Sequence, residues 1–128
     1  MIYFIQDSST LHIKIGFTGG DVEGRLKQLQ TGSAAVLVAL AHVGGGKDVE
    51  SLLHQRLAPS RERGEWFRPT AEVLEIMLGA LGARMLASHR GGGEEGWFLH
   101  LLELGPRPAP PPVVPEPGML AGCAVGMT

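Results

Sequence analysis

Two short apolar runs at the N-terminus, Ile2-Tyr3-Phe4-Ile5 and Ile13-Lys14-Ile15-Gly16-Phe17, stand on either side of the polar segment Asp7-Ser8-Ser9-Thr10. Runs of this length around a polar linker predict a β-hairpin, and a hairpin fixes which side chains share a face. Leu11, Ile13, Ile15 and Phe17 alternate with His12, Lys14 and Gly16, the pattern of a half-buried strand with one polar face. Closed symmetrically over Asp7–Thr10, the hairpin sets Tyr3 directly opposite Lys14, with Cβ atoms about 4.5–5.5 Å apart. A loop of odd length would flip one of the two to the other face.

The rest of the chain continues as a small α+β domain. Gly19-Gly20 turns the chain, and Asp21 is a candidate N-cap for a helix from Val22 to about Gln30, with Val22, Leu26 and Leu29 as its apolar stripe. Arg25 borders that stripe, and Gly32 suits the stop. The apolar run Val36–Val43 predicts the central or best-buried strand. After Gly44-Gly45-Gly46, a second helix fits Lys47–Leu57, with Val49, Leu52, Leu53 and Leu57 inward and Glu50 and His54 together on its flank. Arg56 falls inside this stripe, where its stem can pack while its guanidinium reaches solvent or a ligand. Past a loop with Pro59, Thr70 is a candidate cap for a third helix whose inner face is Val73, Leu74, Met77 and Leu78. The predicted order is β-β-α-β-α-α, a three-stranded, largely antiparallel sheet flanked by helices.

At 128 residues the chain holds one domain, expected over residues 1–90. Residues 91–103 form an appended segment of open type that carries Trp97-Phe98. Seven prolines between Gly105 and Gly118 remove amide donors and apolar periodicity, so residues 104–128 read as a disordered tail. The N-terminus lacks the basic region and long apolar core of a signal peptide, and no run is long enough to span a bilayer. The single cysteine, Cys123, lies in the tail and can form neither an internal disulfide nor a metal cluster. A cytoplasmic protein is expected. The net charge of −2 does not mark a bulk polyanion binder, yet Arg56, Arg61, Arg63 and Arg68 cluster closely enough for a local phosphate-facing patch. Ordinary solvated surface is the competing explanation of that cluster. His42 ends an apolar strand and is expected to be packed, and no histidine pair has zinc-like spacing with a cysteine.

Ile2-Tyr3-Phe4-Ile5 followed by Lys14-Ile15-Gly16-Phe17-Thr18 resembles the paired motif of the GIY-YIG nuclease superfamily. The segment Arg25–Ser33 is similar to that family's helix-borne arginine segment. Val49–His54 and Gly64-Glu65-Trp66-Phe67 resemble a compact subgroup found in phage and bacterial genomes. The resemblance covers residues 1–78 in order and spacing. The chain departs from the pattern at three places. The first motif glycine is absent before Ile2-Tyr3, Lys14 replaces the second motif tyrosine, and Leu29 stands where the family often has His or Tyr.

The resemblance implies phosphodiester hydrolysis with one divalent metal, Mg²⁺ or Mn²⁺. It assigns Tyr3 to orienting or deprotonating the attacking water, help worth about 10²–10⁴-fold. A phenol with an ordinary pKa of about 10 needs a neighbouring cation for that role, which Lys14 is placed to supply. Arg25 would clamp a non-bridging oxygen and Glu50 would hold the metal, with Glu65 as second choice. His54 would protonate the leaving oxygen or hydrogen-bond Glu50. The expected partner is DNA, with weak or structure-directed specificity or targeting by a partner protein, since even minimal specific modules bury about 600–1,000 Å². Two other classes stay open: a nucleic-acid-binding or adaptor module on the same fold without turnover, and an interaction domain using an exposed Trp97-Phe98 and the proline-rich tail. The oligomeric state is open.

Overall fold

The computed structural model describes residues 1–109. The cysteine at position 123 and most of the expected tail, from residue 110 onward, lie outside the described residues. Strands β1 (Ile2–Asp7) and β2 (Ile13–Phe17) form the expected hairpin. Helix α1 (Val22–Thr31) follows, with the Asp21 carboxylate accepting from the Gly24 amide as its N-cap. Strand β3 (Leu37–Val43) leads to α2 (Lys47–Arg56), then a 3-10 turn at Ala58–Ser60. Strands β4 (Arg61–Arg63) and β5 (Trp66–Phe67) precede α3 (Ala71–Arg90) and α4 (Glu94–Leu101).

The architecture is α+β, but the sheet has five antiparallel strands in the order β3-β1-β2-β5-β4, which corrects the expected three. The two extra strands come from the segment expected to be a loop. Gly64, at a φ of 55°, and Glu65 make a two-residue turn that pairs Arg63 with Trp66. A glycine at the first central position is what such a tight hairpin turn favours. The hairpin then adds to the open edge of β2 through Ile13–Phe67 and Lys14–Trp66.

Strand β3 is also corrected. It is the opposite edge of the sheet, not its centre, and Val38, Ala39 and Leu40 are exposed. A register shift between Phe4 and Ile5 leaves Leu40 unpaired between Ala39 and Ala41, which breaks the strand's alternation. The best-buried strand is β1, with Ile2, Tyr3, Phe4 and Ile5 all shielded.

The two faces of the sheet carry separate cores. On one, Ile2, Phe4, Ile13, Ile15 and Val43 pack with Val49 and Leu53 of α2, Val73, Ile76 and Met77 of α3, and Trp97 and Phe98 of α4. Trp97 is 3% exposed and Phe98 0%, so the expectation of an exposed aromatic ligand segment is corrected: this pair closes the core. Helix α4 lies close along α3, so that a Cβ at Gly79 or Gly82 would stand in ordinary contact with Leu102 or Leu101. Along α3, Ile76, Ala80 and Ala83 face inward, while Leu74 and Leu78, expected inside, are 42% and 66% exposed. Leu52 of α2 is likewise exposed rather than inward. On the other face, Tyr3, Ile5, Val22 and Leu37 form a smaller core with Leu26, Leu29 and Trp66, covered by α1. None of the helices among the described residues is long and apolar enough to cross a membrane.

Candidate functional site

The hairpin closes one residue later than expected. Asp7 ends β1 rather than opening the loop, because its carboxylate accepts from the amides of Ser9 (2.8 Å) and Thr10 and from the Ser9 hydroxyl. Those hydrogen bonds hold the Asp7 carboxyl below the usual carboxylate range, the Ser9 hydroxyl contributing most. The loop is Ser8–Leu11, closed by the Leu11 amide on the Asp7 carbonyl, with Leu11 left-handed at a φ of 65°. As a result Tyr3 faces Gly16, and Lys14 faces Ile5. The expected direct Tyr3–Lys14 pair is corrected to a diagonal one. The two still share a face, because Gly16, the partner of Tyr3, is two residues from Lys14, and Ile5, the partner of Lys14, is two residues from Tyr3.

Gly16 is what lets Tyr3 lie on that face. A Cβ built on Gly16 would collide with the Tyr3 Oη and ring carbon Cζ, so the phenol lies across bare backbone. Above it, α1 presents Arg25, half-buried at the border of the stripe. The Tyr3 phenol, by hydrogen bonding first and charge second, holds the Arg25 guanidinium above the ordinary arginine range, with the Glu65 carboxylate adding to it. Arg25 Nη1 also donates to Gln28 Oε1 at 3.2 Å. Lys14 Nζ pairs with Glu65 Oε2 at 3.1 Å and sits 5.5 Å from the centre of the Trp66 ring.

Tyr3, Lys14, Arg25 and Glu65 therefore form one cluster, with Glu65 delivered by the turn between β4 and β5. The strand pairing of that hairpin with β2 is the signal that placed it, supplemented by the Ile15 amide donating to the Glu65 carbonyl at 3.0 Å. Among the described residues no hydrogen bond or ion pair joins Glu50 to these four. Glu50 sits half-buried in the first turn of α2, at the end of the sheet where β3 finishes beside Tyr3's strand. Among the described residues Glu50 has no side-chain hydrogen bond or ion pair, and no three His, Cys, Asp or Glu side chains gather as a metal cluster. His54 packs against the sheet, its Nε2 donating to the Ile15 carbonyl at 2.7 Å and its ring 5.1 Å from that of Phe67.

The four clustered arginines separate. Arg56 reaches α4 and donates to the Leu102 carbonyl at 2.6 Å, and Arg68 donates to the Pro59 carbonyl. Arg61 lies against the Phe67 ring at 5.6 Å. Arg63 is exposed and borders a cavity beside Trp66. His42, opposite Tyr3 on β3, is half-buried, and its Nδ1 is shut from solvent without a partner among the described residues.

The chain belongs to the T5orf172 domain family, whose model matches residues 1–81. This is a phage-associated domain related to nuclease-like folds and compatible with a nucleic-acid-related function. The match takes in all five strands and the first half of α3, and α4 lies beyond it. No curated protein and no solved structure matches the chain.

Proposed function

We propose that the protein is a small metal-dependent DNA endonuclease of the GIY-YIG type. The observation that carries this reading is the cluster of Tyr3, Arg25 and Lys14 on one face of the β1–β2 hairpin, with Gly16 as the bare floor under the phenol. A phosphodiester gains negative charge in its transition state, so fixed cations there lower the barrier. Arg25, held by Gln28 and facing Tyr3, offers a planar fork to the non-bridging oxygens. In this reading the Tyr3 oxygen, beside that guanidinium, would accept a proton from an attacking water. Lys14 adds a second cation once its contact with Glu65 opens toward phosphate.

Mg²⁺ or Mn²⁺ is the proposed cofactor. Such ions keep several waters and need only one or two protein carboxylates. Glu50, whose carboxylate has no hydrogen bond or ion pair among the described residues, would hold the ion, with Glu65, paired to Lys14, as the second candidate. The ion would supply a polarised water and neutralise charge on the phosphate. His54 is proposed as a positioning group, since its Nε2 is committed to the Ile15 carbonyl. Arg61 and Arg63 are the proposed DNA-facing pair of the arginine cluster, with Arg56 and Arg68 holding backbone carbonyls.

A second reading, binding without turnover, draws on the Lys14–Glu65 pair, which neutralises one of the two cations, and on Leu29 in the polar family position. Plasmid nicking by the full chain with Mg²⁺ or Mn²⁺, against EDTA and against Glu50→Ala, separates the two. Metal-dependent nicking lost in Glu50→Ala supports the nuclease and its carboxylate. No cleavage with either metal while DNA is still bound supports the binding module.

A further inference from the structure

The same sheet face carries a cavity that the proposed chemistry does not use. It encloses about 340 Å³ and is bounded by Asp7, Thr10, His12, Glu62, Arg63 and Trp66. His12, the residue before β2, lies two positions from Lys14, and Trp66 is the register partner of Lys14 on β5. The cavity therefore adjoins the phosphate cluster and shares a wall with it. Trp66 packs against the small core of Tyr3 and Ile5, yet it is only half-buried and borders the cavity.

The lining selects the occupant. Two carboxylates, Asp7 and Glu62, repel a phosphate, and the Ser9 and Thr10 hydrogen bonds hold the Asp7 carboxyl below the usual carboxylate range. A flat, uncharged group with hydrogen-bond donors and acceptors on its rim suits this wall instead. Carboxylates accept from exocyclic amines, Arg63 and His12 donate to ring nitrogens and carbonyls, and Trp66 brings an aromatic ring to the cavity wall. That description is a nucleobase.

We propose that this cavity takes an unpaired nucleobase adjoining the phosphate held at Lys14 and Arg25, so that the domain acts on single-stranded or flapped DNA in preference to closed duplex. The inference rests on the phosphate reading of the cluster. It follows because a base inside a duplex is stacked on its neighbours and cannot enter a side pocket without leaving the helix. The β4–β5 hairpin, which supplies Glu62, Arg63 and Trp66, is then the specificity element of the domain.

Equilibrium binding in EDTA tests this without any cleavage. The full chain is titrated against a labelled single strand, an abasic strand of the same length, and a blunt duplex. The ordinary strand is expected to bind more tightly than the abasic one, and Trp66→Ala to lower its affinity by about 5- to 150-fold, the range for removing a base-stacking aromatic. Trp66→Phe, which keeps a stacking face, should retain most of the affinity, and abasic binding should change little in either variant. If Trp66→Ala fails to fold, Arg63→Ala and His12→Ala, on the cavity wall, must narrow the gap between ordinary and abasic strands. Equal binding of the two strands overturns the proposal, as does tighter binding of the duplex or a gap that survives in folded cavity variants. Arg25→Ala should weaken all three ligands together. If it weakens none while the base-dependent gap persists, the phosphate reading fails and the pocket stands.

Discussion

The Tyr3 phenol lies across the bare backbone of Gly16, its register partner on the neighbouring strand, at a place where any side chain on residue 16 would occupy the phenol's own volume. This contact links sequence to chemistry: the glycine in the strand is a weak strand former, and what it provides is the floor on which a buried aromatic reaches Arg25.

Gly16→Ala should therefore overpack the face by about 1–3 kcal/mol. Urea unfolding measures that cost. Nicking activity should fall further than the loss of folded protein explains, because the phenol must leave its position beside Arg25 for the methyl to fit.

Leu11 is left-handed and 53% exposed at the end of the hairpin loop, so its side chain gives little packing in return for its backbone strain. Leu11→Gly should stabilise the domain by about 1 kcal/mol. For a domain of this size that is a rise in Tm of about 4–8 °C, readable by circular dichroism. An unchanged Tm would mean that the loop holds residue 11 by contacts other than its backbone conformation.

Burial pushes the His42 imidazole below its ordinary range, with Arg84 adding to the shift and Glu94 opposing it. The folded state thus binds its proton less readily than the unfolded chain. The associated stability is fully present above the unfolded value of about 6.5 and is lost as pH falls through the folded value. Urea melts across this window should show stability declining with acidity. In His42→Gln the decline should be shallower.

Arg56 and Arg63 should part company experimentally. Arg56→Ala loses its bond to the Leu102 carbonyl and should cost on the order of 1 kcal/mol, below the usual worth of a charged donor because the side chain is exposed, with DNA affinity unchanged. Arg63→Ala should leave stability nearly unchanged and weaken DNA binding. Paired unfolding and binding titrations read both.

Much of this fold was legible residue by residue. Asp21 and Thr70 announced their helices, since each side chain caps an amide that would otherwise be orphaned. The β4–β5 hairpin was missed, although Gly64 followed by one residue between Arg63 and Trp66 is a tight-turn signal, because three- and two-residue strands are too short to show alternation. The run Val36–Val43 looked central because it is apolar, and apolarity alone does not separate a buried strand from an edge strand with a bulge. The site was legible in its residue types but not in its register. Leu11 takes a conformation usually marked by glycine, so nothing in the loop's composition shows where the hairpin closes. Glu65 reached the cluster only through pairing of distant strands, which local pattern does not encode.

The most direct test of the account is the rate of plasmid nicking by Arg25→Ala beside the unaltered chain, in Mg²⁺ and in Mn²⁺, with folding checked by circular dichroism. The unaltered chain should nick in metal and not in EDTA, and the variant should be slower by about 10²–10³-fold, the usual loss when one fixed donor to transition-state charge is removed. A folded variant that nicks at the unaltered rate would contradict the assignment of the Tyr3 face as the site of cleavage.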